Sequence, residues 1–188
     1  MFYELKVRSH VRVSPSTFSE STEQSIITSL REKFDNFITK ELGVVVGVTG
    51  IESIGEGVII PGDGAAYYDT TFTVLTFRPE LQEVVMGNIR EINEFGAFLE
   101  MGPLDGMIHI SQTMDDYVSF SKANALTGKD SKKTLKVGDI CRARIIAVSY
   151  KDMSNPKIGL TMRHPLLGKE EWWKEDKKKE KAAPKKES

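Results

Sequence analysis

Residues 85–111 read VMGNIREINEFGAFLEMGPLDGMIHIS, and this stretch decides the fold of the second half of the chain. Apolar residues and glycine alternate through Val85, Gly87 and Ile89, and again through Phe95, Ala97, Leu99 and Met101, the period of strands with one buried face. Asn93-Glu94 and Pro103-Leu104-Asp105-Gly106 supply turn chemistry between the runs. Two successive hairpins follow. Gly87 and Gly96 would weaken a flat strand but suit one that bends or bulges. A short, closed, antiparallel barrel is therefore expected in preference to an open sheet.

Phe95, Phe98 and His109 surround the glycine-bearing bend. Strict alternation would put the two phenylalanines on opposite faces. A bulge at Gly96, or Phe95 standing in the turn, would instead bring both rings to one outer face, where His109 from the third strand could join them. Exposed rings stack on bases without regard to sequence, each contributing on the order of 1–3 kcal/mol. The residues leave a second reading open, in which both rings fill the core and His109 is ordinary surface.

The charges nearly cancel, with 26 Lys and Arg against 27 Asp and Glu. That balance argues against a protein that grips nucleic acid by bulk electrostatics. It is not uniform, however. Residues 1–80 carry 7 basic and 11 acidic side chains, residues 81–168 carry 11 and 10, and residues 169–188 carry 8 and 6. Any RNA contact is thus expected to be local and confined to the second half. No apolar run is long enough for a membrane span and the N-terminus lacks a signal-peptide pattern, so a cytoplasmic protein with no membrane partner is expected. The single cysteine, Cys141, sits in the β-like run DICRARIIAV and reads as a buried, inert thiol.

The chain opens with a strand, FYELKVRSHVRV, with Val7, Val11 and Val13 on one parity. Ser21 and Gln24 form a capping-box pattern at the start of a helix whose apolar stripe runs Ile26, Ile27, Leu30, Phe34, Phe37 and Ile38. Lys40 and Gly43 read as its stop signals. A strand from Val44 to about Ile54 is expected next. GEGVIIPGDG, residues 55–64, then reads as a tight turn, a brief strand and a second loop. It has no phosphate-loop pattern, and Glu56 and Asp63 would repel phosphate. The loop is an exposed tip suited to docking on a partner, with Gly62, Asp63 and Gly64 at its apex. A strand from Tyr68 to Phe77 completes a small α+β unit.

After the barrel hairpins, residues 112–137 are too long for a simple turn and carry Lys122, Lys129, Lys132, Lys133 and Lys136. An extra helix or loop is expected there. The lysines either track a phosphate backbone or form solvated surface. Arg142 and Arg144 share an outward strand face with Ile140 and Ile146, where they would extend the surface that the aromatics begin. Trp172 and Trp173 either pack on the preceding structure or stack on bases, and the charged tail beyond them is expected to be disordered. No catalytic constellation, metal-ligand spacing or cofactor motif is present in the sequence, so a non-catalytic binding protein without cofactor is expected.

Residues 87–111 resemble the RNA-binding repeat named after the largest protein of the small ribosomal subunit, an OB-fold variant. Glycine, aromatic and histidine positions agree together. The resemblance implies that Phe95, Phe98 and His109 lie on the nucleic-acid face, with Lys157 at the family's basic position. IGEGVIIPGDGAAYY, GPLDGMIHISQTMDDYVSF, VGDICRARIIAVS and LTMRHPLLGKEEW extend the likeness to nearly the whole chain. Together they resemble the family of archaeal RNA polymerase E-prime subunits, counterparts of the seventh subunit of the eukaryotic enzymes.

That resemblance implies an α+β chain in three parts. Residues 1–80 form a truncated ribonucleoprotein-like tip domain that docks on the polymerase core near the clamp. Residues 81–168 form an OB-fold antiparallel β-barrel that binds single-stranded nascent RNA. Residues 169–188 are a charged tail. It also implies a heterodimer with the polymerase's F subunit that acts as a stalk and aids promoter opening. A translation or RNA-decay factor carrying the same barrel, and an assembly scaffold whose barrel touches no RNA, are the alternatives.

Overall fold

A computed structural model describes residues 1–121, 124–152 and 155–174. Lys122, Ala123, Met153, Ser154 and the charged tail from residue 175 onward lie outside the described residues. The chain divides into two units, Met1–Arg78 and Pro79–Ser188.

In the first unit, β1 (Phe2–Val13) pairs antiparallel along its whole length with β4 (Ala66–Phe77), from Phe2 opposite Phe77 to Val13 opposite Ala66. The helix α1 (Thr22–Phe34) starts at the expected cap, where the Ser21 hydroxyl accepts from the Gln24 N–H at 3.3 Å. It buries Ile26 and Leu30 against Val11, Val13, Val45, Phe72 and Val74. Each such side chain taken from water is worth about 2 kcal/mol. That suffices to hold a helix too short to be stable alone.

Two expectations for this unit need correction. The helix ends at Phe34 and does not run on through Ile38. Asp35 is extended, Asn36 takes φ +61°, and the chain turns away to pair with the next strand, the Val45 N–H donating to Phe37 O at 2.8 Å. Ile38–Thr39 accordingly form a short strand, β2. Nor does a turn interrupt the chain at residues 55–57. β3 runs unbroken from Gly43 to Ile59 and absorbs its extra residues as four register shifts against β4. Such bulges bend a strand without ending it. The sheet order is β1-β4-β3-β2.

The second unit closes a barrel. β5 (Val84–Asn93), β6 (Gly96–Glu100) and β7 (Asp105–His109) form the two expected hairpins. The second turn uses Gly102-Pro103-Leu104, so Asp105 and Gly106 already belong to β7. β11 (Ile140–Ser149) pairs with β5, β12 (Lys157–Thr161) pairs with β11, and β12 runs parallel to β7, completing a five-stranded ring. Ile89, Ile92, Ala97, Leu99, Ile108, Cys141, Ala143, Ile145, Ile158 and Leu160 fill its interior. Small residues among them suit so narrow a barrel. Burial pushes the Cys141 thiol up to about 12, so the thiolate is absent at neutral pH.

Between β7 and β11 the chain forms a small sheet in place of the expected helix or loop: β8 (Val118–Ser121), β9 (Ala125–Gly128) and β10 (Thr134–Lys136). Leu126 and Leu135 pair across it and are fully buried. A two-residue strand, β13 (Gly168–Lys169), pairs with Cys141 and Arg142. It leads into a helical turn from residue 170 on which Trp172 is buried. Among the described residues no helix is long and apolar enough to cross a membrane.

Candidate nucleic-acid interface

Asn93 builds the bend that carries the first ring. Its side-chain oxygen accepts from the N–H groups of Phe95 and Gly96 at 3.0 and 3.1 Å, an Asx-turn that lifts Phe95 out of both strands. Phe95 is 61 % exposed. Of the two routes open to the sequence, the turn position is the one taken. Ala97 and Leu99 point inward, so Phe98 between them faces out and is half-buried. Gly96 pairs with His109 and Phe98 with Met107, while the Ile110 N–H donates to Phe95 O at 2.9 Å. Both rings and the imidazole therefore share the outer end of the β6–β7 ribbon.

His109 is also oriented. The Ser111 N–H donates to Nδ1 at 3.3 Å and the Ser111 hydroxyl lies 2.8 Å from the same nitrogen. An N–H can only donate, so Nδ1 is the acceptor and the ring proton sits on Nε2, directed away from Ser111. The site thus offers two flat faces and one aimed donor. Met107 and Gly159, paired side by side, continue the outer row from Phe98. Glycine leaves the surface flat there.

The cations are distributed unevenly. Lys157 is exposed two residues before Gly159 on β12, one row from the aromatics. Arg90 is paired with Asp105 at 2.9 Å. Arg142 and Arg144 face outward as expected, but opposite Met86 and Val84 of β5, whereas Phe98 is opposite Glu91. At about 3.3 Å per residue the five positions from Met86 to Glu91 span roughly 16 Å. Around the other side of the barrel, Thr161 stands between Arg144 and the β7 end, buried and hydrogen-bonded to Gln112 at 2.8 Å. Arg142 lies over the ring of Trp173 at 4.5 Å. The structure therefore brings together Phe95, Phe98 and His109, places Lys157 and, across the buried Thr161, Arg144 on neighbouring strands, and turns Arg142 toward Trp173.

In the first unit, Gly62, Asp63 and Gly64 lie in the exposed β3–β4 connection, with φ of +97° and +71° at the glycines. Asp63 is not free. Its carboxylate accepts from Arg12 at 2.7 and 3.0 Å and from the Tyr67 hydroxyl at 2.6 Å. The Arg12 guanidinium, then the Tyr67 hydroxyl, hold its pKa down to about 2 from an ordinary 3.8. What the tip presents instead is apolar: Val58 and Ile59 are 61 % and 63 % exposed, and Ile60 is exposed beside them. The run V-I-I is visible in the sequence, but nothing local shows that it lies in water.

A depressed carboxyl pKa means that this ion pair supports the tip hairpin at every pH above the ordinary carboxylate value. Its contribution is lost as the pH falls through about 2. Following the Asp63 carboxyl carbon by NMR is expected to give a midpoint near pH 2. A midpoint at the ordinary value of 3.8 would show the Arg12–Asp63 pair to be open in solution.

Among the described residues no three His, Cys, Asp or Glu side chains converge as a metal site. Residues 8–64 match the SHS2 domain found in the N terminus of Rpb7p/Rpc25p/MJ0397, and residues 78–154 match the S1 RNA binding domain. Lys157 lies just past the second match. The DNA-directed RNA polymerase subunit Rpo7 of Saccharolobus solfataricus is 37 % identical over 95 % of this chain and 100 % of its own length. The chain belongs to the Rpo7 family. The Rpo7 subunit of Sulfolobus acidocaldarius is 39 % identical over 92 % of this chain and 94 % of its own. The RNA polymerase II subunit RPB7 of Glycine max is 27 % identical over 89 % and 96 %. The E-prime resemblance is thereby borne out: an SHS2 unit and an S1 barrel make an Rpo7-type subunit of RNA polymerase.

Proposed function

We propose that this Rpo7-family chain is a non-catalytic stalk subunit. It pairs with the polymerase's F subunit, docks on the core near the clamp through residues 1–80 and aids promoter opening. Single-stranded nascent RNA is held on the barrel of residues 81–168, and the assembly works in the cytoplasm. The observation that carries the RNA half is the pairing of an exposed Phe95 with Phe98 and an oriented His109 on an S1 barrel. Side chains placed for packing alone would point inward. Lys157 supplies the near cation, while Arg142 and Arg144 add positive field from the flank rather than stacking contacts.

The docking half is supported by the exposed Val58-Ile59-Ile60 tip, an apolar run at a hairpin end closed by Gly62, Asp63 and Gly64. Because these side chains touch little, changing them leaves the fold intact. The double variant Ile59→Asp, Ile60→Asp is expected to retain the F subunit but to lose core polymerase in co-purification, weakening that association roughly thirty-fold or more if the tip is an interface hot spot. Full recovery of core polymerase with the variant would remove the tip from the docking surface.

A further inference from the structure

The barrel face stops at His109, but the exposed surface it belongs to continues. Past His109 the chain makes a tight turn, Ile110–Gln112, and then enters the inserted sheet. Ile110, Ser111, Asp116, Tyr117 and Val118 line an open groove of about 270 Å³. Ser111 is the residue that holds His109 Nδ1, so the groove begins where the aromatic face ends. Tyr117 stands on its wall at 80 % exposure, more than any other large apolar or aromatic side chain described as exposed.

Tyr117 is held there by its backbone. Its carbonyl accepts from the Lys129 N–H at 2.9 Å, one step beyond the Val118–Gly128 pair of the β8–β9 ladder. The loop that delivers Lys129 is tied to Asp116, whose carboxylate accepts from the Ser131 N–H at 2.8 Å, the Ser131 hydroxyl at 2.7 Å and the Asp130 N–H at 3.1 Å. Those donors, Ser131 first, hold the Asp116 carboxyl pKa below its ordinary value, so Asp116 stays an anion on the groove wall. A single strand lying there is held by the Tyr117 ring and Lys129 instead. The ladder puts the exposed Lys129 directly across from Tyr117, where cross-strand side chains are neighbours. Along the same face Ser119 lies opposite Thr127, and Thr127 opposite Thr134. A ring, a cation and a row of hydroxyls on one outward face match the base, phosphate and sugar of a single strand.

We propose that Tyr117 and Lys129 form a second stacking station for single-stranded RNA, reached from the barrel face at His109 by way of the Ser111 groove. The inserted sheet then serves to lengthen the RNA path. This rests on the barrel reading above and adds to it a longer footprint with a base on Tyr117.

The test uses the full chain and fluorescent oligouridylates of about 4 and about 16 nucleotides, the two ends of the range that one OB barrel holds. Tyr117→Ala is expected to weaken the longer oligomer roughly five-fold or more and to leave the shorter one unchanged. Tyr117→Phe keeps the ring and keeps the affinity. Lys129→Ala is expected to lower the slope of log affinity against log salt by about 0.7. If Tyr117→Ala binds the longer oligomer like the parent while Phe98→Ala weakens it, the second station is lost and the barrel site stands. If Phe98→Ala also binds like the parent, the barrel reading fails and takes the extension with it.

Discussion

Replacing Phe95, Phe98 and His109 together with alanine is expected to weaken single-stranded RNA binding by roughly a hundred-fold or more. Two stacking rings at about 1–3 kcal/mol each already account for that. The fold is expected to survive, because Phe95 and His109 lie in solvent, Phe98 is half-buried, and the inward side chains on either side of it are untouched. The change is thus an affinity effect with little change in thermal midpoint, measured by anisotropy at one fixed salt concentration alongside a circular-dichroism melt. Charge cannot take over from the rings. Around them stand Lys157, Arg144 beyond the buried Thr161, and an Arg90 already paired with Asp105. A triple variant that melts like the parent and binds RNA equally well would leave the aromatic cluster without a role in binding.

The opposite pattern, a loss of stability, is expected for Gly87→Ala and Gly96→Ala. A Cβ at Gly87 would sit 1.9 Å from Glu100 O, and one at Gly96 would sit 2.0 Å from Ile108 O. Both neighbours are backbone and belong to the hydrogen-bonded β5–β6–β7 ribbon, so neither can step aside without breaking ladder bonds. Gly96 also holds φ at +152°, which strains any L side chain. Each substitution is expected to cost about 4 kcal/mol, a large share of the 5–15 kcal/mol that a whole domain commands. Urea unfolding followed by the far-ultraviolet signal reads this directly. A midpoint unchanged from the parent for either variant would mean that the strands do not approach as closely as the structure has them.

Much of this was legible in the chain because it depends on neighbours in sequence. Alternation around Ala97 and Leu99 set the inward face of β6, and Ser21 with Gln24 placed the start of α1. The exposed aromatics were legible only as a choice between two routes. Asn93 resolves it by accepting from Phe95 and Gly96, an Asx-turn whose signal, an Asn two residues before the ring, is present in the sequence but shared with many turns. Ser111, two residues after His109, is a signal of the same kind for the orientation of the imidazole.

What the sequence determined by itself was the inventory of short-range devices: two hairpins, one helix start, a tip loop, an aromatic and histidine set, and a family. What the tertiary structure alone decided was every pairing between distant residues. α1 stops at Phe34 because Phe37 finds Val45, and β3 outruns its glycines because β4 holds it all the way to Ile59. Arg142 turns away from the aromatics because its strand meets β5 at Met86, and Tyr117 faces Lys129 because the inserted ladder closes in that register. A backbone hydrogen bond satisfies a donor whatever its sequence distance, whereas propensity and spacing register only what lies within a few residues.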